Sequence, residues 1–246
     1  MDTFLRNRQR HSKEQYDANA IMKMLVFSRW LYPVSKRKTH ENRHIFFEKF
    51  YFSLDDIYRC LTLFNKHSDA LQLWLHERIK DQYNRNTDLV YYDVTNFYFE
   101  IDEQDDLRKK GVSKEYRPDP VIQMGLFMDT NGIPIIYKLF SGNAPDKTTL
   151  IPALGSIQID AHFLTCFISL VIVRIFEYRL KGKFSIQEML ESLSRASFSH
   201  IQENYYLFNF YNNVLEDIGS ELNIDFSKKI MSLRQINKFL AETKKA

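Results

Sequence analysis

Apolar residues recur at roughly helical spacing between Asp17 and Tyr32, where Ile21, Met24, Leu25 and Phe27 form one stripe, and Pro33 stops the run. Ser53 with Asp56 fits a capping-box variant that opens a helix carrying Ile57, Tyr58, Leu61 and Phe64 on one face. A further helix from about Ser68 to Tyr83 buries Leu71, Trp74 and Leu75, and the polar break Asn84 to Thr87 ends it. The period then changes. Val90, Tyr92 and Val94 alternate with Leu89, Tyr91 and Thr95, all β-branched, aromatic or leucine, which predicts a strand with apolar demand on both faces. Two apolar runs in PVIQMGLFMDTNGIPIIYKLFSGN flank Asp129-Thr130-Asn131-Gly132 and predict a β-hairpin, with Asn131-Gly132 supplying the positive dihedrals of a tight turn. Pro134 removes a ladder donor and places the last strand at a sheet edge, with the Asp93 strand further in. Thr148 or Thr149 caps a short helix in which Pro152 is tolerated near the first turn.

Beyond that point Phe163 to Val173 is an 11-residue apolar run, interrupted by Thr165 and Ser169 and closed by Arg174. A membrane span takes about 20 such residues, so the run predicts a core helix. Ser185 with Glu188 forms a second capping box before Met189, Leu190 and Leu193, and Ser232 with Gln235 opens a last helix that buries Ile236, Phe239 and Leu240. The aromatic-rich stretch from Ser197 to Phe226 is expected to hold one or two short helices, and Met1 to Gln15, which is basic, is expected to fray.

Composition narrows the class. At 246 residues, with 44% apolar and 15% aromatic content, the chain has enough material for one or two cores. A balance of 34 basic to 31 acidic residues gives +3, compatible with nucleic-acid binding without arguing for it. Cys60 and Cys166 are too few and too far apart for a disulfide framework or zinc site, and MDTFLRNRQRHSKEQ lacks the apolar core of a signal peptide. A soluble, cytoplasmic protein is therefore expected. His40, His44, His67 and His76 lack paired-ligand spacing, which favours surface or capping roles over metal binding.

Candidate chemistry begins with Asp93. A carboxylate in an apolar strand must be solvated, paired or used. Lys36-Arg37-Lys38 is a candidate DNA-phosphate contact, because each phosphate neutralised releases counterions; a solvated loop is the alternative. The connection from Glu100 to Asp119 runs from acidic (Glu100, Asp102, Glu103, Asp105, Asp106) to basic (Arg108, Lys109, Lys110, Lys114), and is expected to be a solvated, self-paired loop.

The segments LVYYDVTNFYFE and DDLRKKGVSKEYRPDPVIQMGLFMDTNGIPIIYKLFSGNAPDKTTLIPAL resemble the DDE-type transposases of bacterial insertion sequences, in the group named after insertion sequence four. Upstream, RWLYPVSKRKTHE and FSLDDIYRCL are similar to that family's helical N-terminal region, and AHFLTCFISLVIVRIFEYRL to its C-terminal region. The resemblance implies an RNase H-like domain in which Asp93 is the first of three catalytic carboxylates. Those carboxylates hold two Mg²⁺ (or Mn²⁺) ions for phosphodiester hydrolysis and strand transfer on DNA. The family's second Asp strand and Glu helix have no counterpart between Leu154 and Ala161, and neither Asp160 nor Glu177 sits in its motif. The chain thus resembles an internally deleted copy.

The expected fold is a mostly helical α+β chain. Residues 1–87 form a helical, DNA-binding region, 88–154 a three-stranded antiparallel remnant of the RNase H-like sheet, and 155–246 a C-terminal helical region. The expected function is a transposase remnant with lost catalysis, with insertion-sequence ends as DNA partner and a homodimer or a heteromer with intact transposase as assembly. The alternatives are a DNA-binding competitor of the intact enzyme and a helical interaction protein with no nucleic-acid role.

Overall fold

The computed structural model describes residues 2–10, 15–101, 104–111, 119–143 and 157–242. Met1 to Gln15 does not simply fray: helix α1 (Asp2–Gln9) buries Phe4 and Leu5. Its anchor is remote in sequence. The Phe4 ring lies 5.9 Å from that of Trp74, and the Arg8 guanidinium stands 5.3 Å over Phe4. Helix α2 (Ala18–Leu31) is capped by Asp17, whose Oδ1 accepts from the Asn19 and Ala20 N–H groups at 2.9 and 3.0 Å. Ile21, Met24 and Leu25 are buried, as their spacing predicts.

After Pro33 the basic cluster is helical. Lys36, Arg37 and Lys38 form the first turn of α3 (Lys36–Glu41), with Ser35 Oγ accepting from the Lys38 N–H at 3.2 Å. Helix α4 (Leu54–Lys66) carries the complete capping box of Ser53 and Asp56 and buries Ile57, Leu61 and Phe64, whereas Tyr58, assigned to the same face, is exposed. A single residue, His67, separates it from α5 (Ser68–Tyr83).

The first sheet is antiparallel in the order β1 (Tyr91–Tyr98), β2 (Val121–Met128), β3 (Pro134–Ser141). Its hairpin turns differently from the expected Asn-Gly geometry. Gly132 has a positive φ (71°) and Asn131 does not, and the Asp129 side chain holds the loop by accepting from the Asn131 and Ile133 N–H groups at 2.9 and 3.0 Å. Pro134 does begin an edge strand. That edge is closed by α5: Gln72 Oε1 accepts from the Tyr137 N–H at 2.8 Å, and Lys138 pairs with Asp69 at 2.9 Å. The central strand is β2, so the Asp93 strand lies at the opposite edge and not further in. Apolar demand on both faces of β1 is not met either, since Leu89, Val90, Tyr91 and Tyr92 are all exposed.

Helix α6 (Ile157–Arg179) lies on the face of this sheet that carries Phe97 and Tyr137, through ring contacts with Phe163 (4.8 Å) and Phe167 (5.3 Å). Ala161–Arg179 is long and apolar enough to cross a membrane by length and composition, but half of it is buried inside the protein. Ser169 Oγ donates to Thr165 O at 2.8 Å and reaches Val26 O at 3.1 Å, tying the helix to α2. These contacts make its first half a core helix. The cap expected at Thr148 or Thr149, with Pro152, lies outside the described residues.

The chain divides into two compact units, residues 1–29 with 34–171, and residues 30–33 with 172–246, a division that falls inside α6. The second unit is built around Leu180, Met189, Val214 and Ile218. Its helices α7 (Ile186–Arg195) and α9 (Leu233–Glu242) have the caps expected at Ser185 and Ser232. Between them, one of the expected short helices forms, α8 (Asn213–Leu222). The rest is a second antiparallel sheet of β4 (Phe198–Gln202), β5 (Tyr205–Phe208) and β6 (Ile230–Ser232), so this region is not purely helical. Glu203 takes the left-handed turn position (φ 49°) that a glycine would advertise in sequence, and Phe198 packs on Phe208 at 4.9 Å. The class is accordingly α+β and mostly helical, as expected.

Candidate functional site

Asp93 sits in β1 opposite Leu126, which in turn faces Tyr137 in β3, so all three point to the face that α6 covers. At the β1 edge that cover gives out. Leu126 and Tyr137 are buried while Asp93 is exposed, and its Oδ2 accepts a hydrogen bond from the Thr95 hydroxyl at 3.2 Å. The carboxylate is therefore solvated, which removes the cost of burying it.

A two-ion site of the DDE type needs several oxygen ligands at fixed geometry. Among the described residues no group of three or more His, Cys, Asp or Glu side chains is placed to hold a metal, and the partner of Asp93 is a neutral hydroxyl. The described donors alone do not supply the set that Mg²⁺ or Mn²⁺ takes in that chemistry. Glu177 pairs with Arg174 at 2.6 Å in the second unit, and the side chain of Asp160 lies outside the described residues. Of the acidic connection, Asp105 pairs with Arg108 at 2.5 Å, which bears out self-pairing there; residues 102–103 and 112–118 are outside the description.

The candidate DNA cluster is split by its helix. Arg37 and Lys38 share Glu41 at 3.3 Å each and stand exposed. Lys36 is turned inward to a small cleft, about 70 Å³ in volume, that it lines with Leu25, Arg29, Val34, Ser35, Thr39, His162 and Thr165. Packing of α2, α3 and α6 creates this cleft, and no local pattern marks it in the sequence. Burial pushes the Lys36 ammonium below the ordinary lysine range, with Arg29 adding to the fall and Cys166 opposing it. Burial, then the Lys36 and Arg29 charges, depress His162 to about 4, so its imidazole is neutral at physiological pH. Cys166 Sγ lies 3.8 Å from His162 Nε2, but burial raises the thiol, and a protonated thiol is not a nucleophile.

One polar cluster escaped sequence reasoning altogether. Arg85, with a side chain fully withdrawn from solvent, follows Asn84, whose left-handed conformation (φ 46°) ends α5. Its Nε lies 2.9 Å from Asp129 Oδ2, a charge contact out of hydrogen-bond alignment. Its terminal nitrogens meet Pro134 O at 2.8 Å, as donor, and His76 Nδ1 at 3.0 Å. The cluster joins α5 to the hairpin and is structural.

No family model, curated protein or solved structure matches this chain.

Proposed function

We propose that this chain is a remnant of a DDE-type insertion-sequence transposase that has lost catalysis and retains DNA contact. The observation that supports it best is the open strand β1. In the RNase H-like arrangement that the resemblance implies, the Asp93 strand has a parallel neighbour opposite its antiparallel one. Among the described residues β1 pairs with β2 alone, while the far edge of the sheet is closed by α5. An edge left open beside an exposed aspartate is what removal of the family's second and third carboxylate elements would leave. Cys60 and Cys166 are not joined in a disulfide, in keeping with a cytoplasmic location, where such a protein would meet DNA.

Arg37 and Lys38 remain the DNA-facing part of the basic cluster. Their pairs with Glu41 are solvent-exposed and therefore weak, so exchanging them for backbone phosphates costs little. The competitor role, occupying insertion-sequence ends against an intact enzyme, rests on these two residues.

Incubation with supercoiled plasmid carrying the cognate ends, in Mg²⁺ or Mn²⁺, is expected to yield no nicked or joined product. The wild-type chain and Asp93→Asn should behave alike; metal-dependent nicking that vanishes in Asp93→Asn means the site is complete and the proposal wrong. Duplex binding is expected to weaken steeply with salt. Replacing both Arg37 and Lys38 with alanine should make the log–log slope shallower by about 2, since each phosphate no longer neutralised removes roughly 0.9. An unchanged slope would remove α3 from the DNA interface.

A further inference from the structure

We propose that the cleft between α2, α3 and α6 is a binding site for a small tetrahedral oxyanion of the phosphate class. Charge is the first ground. Arg29 and Lys36 both line the cleft, no carboxylate does, and neither cation forms an ion pair among the described residues. The contrast lies within one turn of helix, where Arg37 and Lys38 are both neutralised by Glu41 while Lys36 is not. A partly buried ammonium without a counter-charge is unfavourable unless something supplies one.

Hydrogen-bonding capacity is the second, independent ground. Thr39 lines the cleft, and its hydroxyl is a donor of the kind an oxyanion takes. Ser35 adds another donor: its oxygen already accepts from the Lys38 N–H, which leaves its own proton free. Thr165 contributes none, because its hydroxyl donates to His162 O at 2.7 Å. The imidazole of His162, neutral in the empty cleft, brings no negative charge against an anion.

Size sets the ligand class. The cleft is small, about 70 Å³, a size suited to one oxyanion. The anion is thus free phosphate or a single phosphate of a DNA backbone.

The test is calorimetric titration of the full chain with inorganic phosphate, at ionic strength held constant with sodium chloride. Wild type should bind with measurable heat. Lys36→Met keeps the aliphatic stem and should weaken phosphate about tenfold or more, the loss of one charge-assisted hydrogen bond. Lys80→Met, at an exposed lysine of α5 outside the cleft, should bind as wild type does. Arg29→Gln provides a second lesion in case Lys36→Met perturbs folding, which circular dichroism reports. No phosphate heat in wild type, or equal loss in Lys36→Met and Lys80→Met, overturns the site. The two sources separate on duplex DNA: Lys36→Met loses duplex affinity together with phosphate if the anion is a backbone phosphate, and phosphate alone if the ligand is free.

Discussion

Asp129→Ala is expected to destabilise the first unit by about 3–5 kcal/mol, a large share of the roughly 5–15 kcal/mol that holds a typical domain folded. Two losses combine. The Asn131 and Ile133 N–H groups lose the oxygen that closes the hairpin, and the Arg85 guanidinium, its side chain wholly buried, loses its carboxylate neighbour. Burial already pushes the Arg85 pKa down, with Asp129 the main influence holding it up, so removal leaves a charge with a solvation cost and no compensation. Asp129→Asn keeps the hairpin acceptor, because the amide oxygen can still accept from both N–H groups, but it sets the amide NH₂ against Arg85 in place of Oδ2, so the cost should come from the Arg85 side alone. Arg85→Met combined with Asp129→Asn should recover part of it, because no uncompensated charge then remains. Urea unfolding of the four proteins measures the series. A loss below about 1 kcal/mol in Asp129→Ala would mean that the pair does not hold the hairpin.

That pair also marks where sequence reading stops. The caps at Ser53, Ser185 and Ser232 are legible because the acceptor and its partner stand three positions apart, and their chemistry is complete within one turn. Arg85 lies in what reads as a polar break, and nothing local tells a buried arginine from a solvated one until β3 and the hairpin are brought to it. Helix α1 is hidden for the same reason, since Phe4 finds its partner in Trp74 on α5. The β4–β5 hairpin is hidden for another, because Glu203 occupies a turn position where glycine or asparagine would have announced it. For the candidate site, Asp93 and the basic cluster stand out in the sequence. That Asp93 faces solvent and that Lys36 parts from its neighbours does not, because α6 and Glu41 decide those outcomes.

Acidification is expected to destabilise the protein between pH 6.5 and about 4 through His162. In the unfolded chain an imidazole takes its proton near 6.5, whereas in the folded chain burial and the Lys36 and Arg29 charges delay protonation to about 4. Within that window the unfolded state binds one proton more than the folded state, so stability rises with pH. The contribution is fully present above 6.5 and is lost as pH falls towards 4. Discounted for partial exposure and solvent screening, it amounts to roughly 1–2 kcal/mol. His67 and His76 are shifted the same way, chiefly by burial, so removing His162 should flatten the dependence without abolishing it. The measurement is urea unfolding of wild type and His162→Gln at about pH 7 and about pH 4.5, in buffers free of phosphate. The difference between the two pH values should shrink by about 1–2 kcal/mol in the variant. If His162→Gln keeps the full wild-type pH dependence, the imidazole titrates alike in both states, and Lys36 and Arg29 do not press on it as the cleft requires.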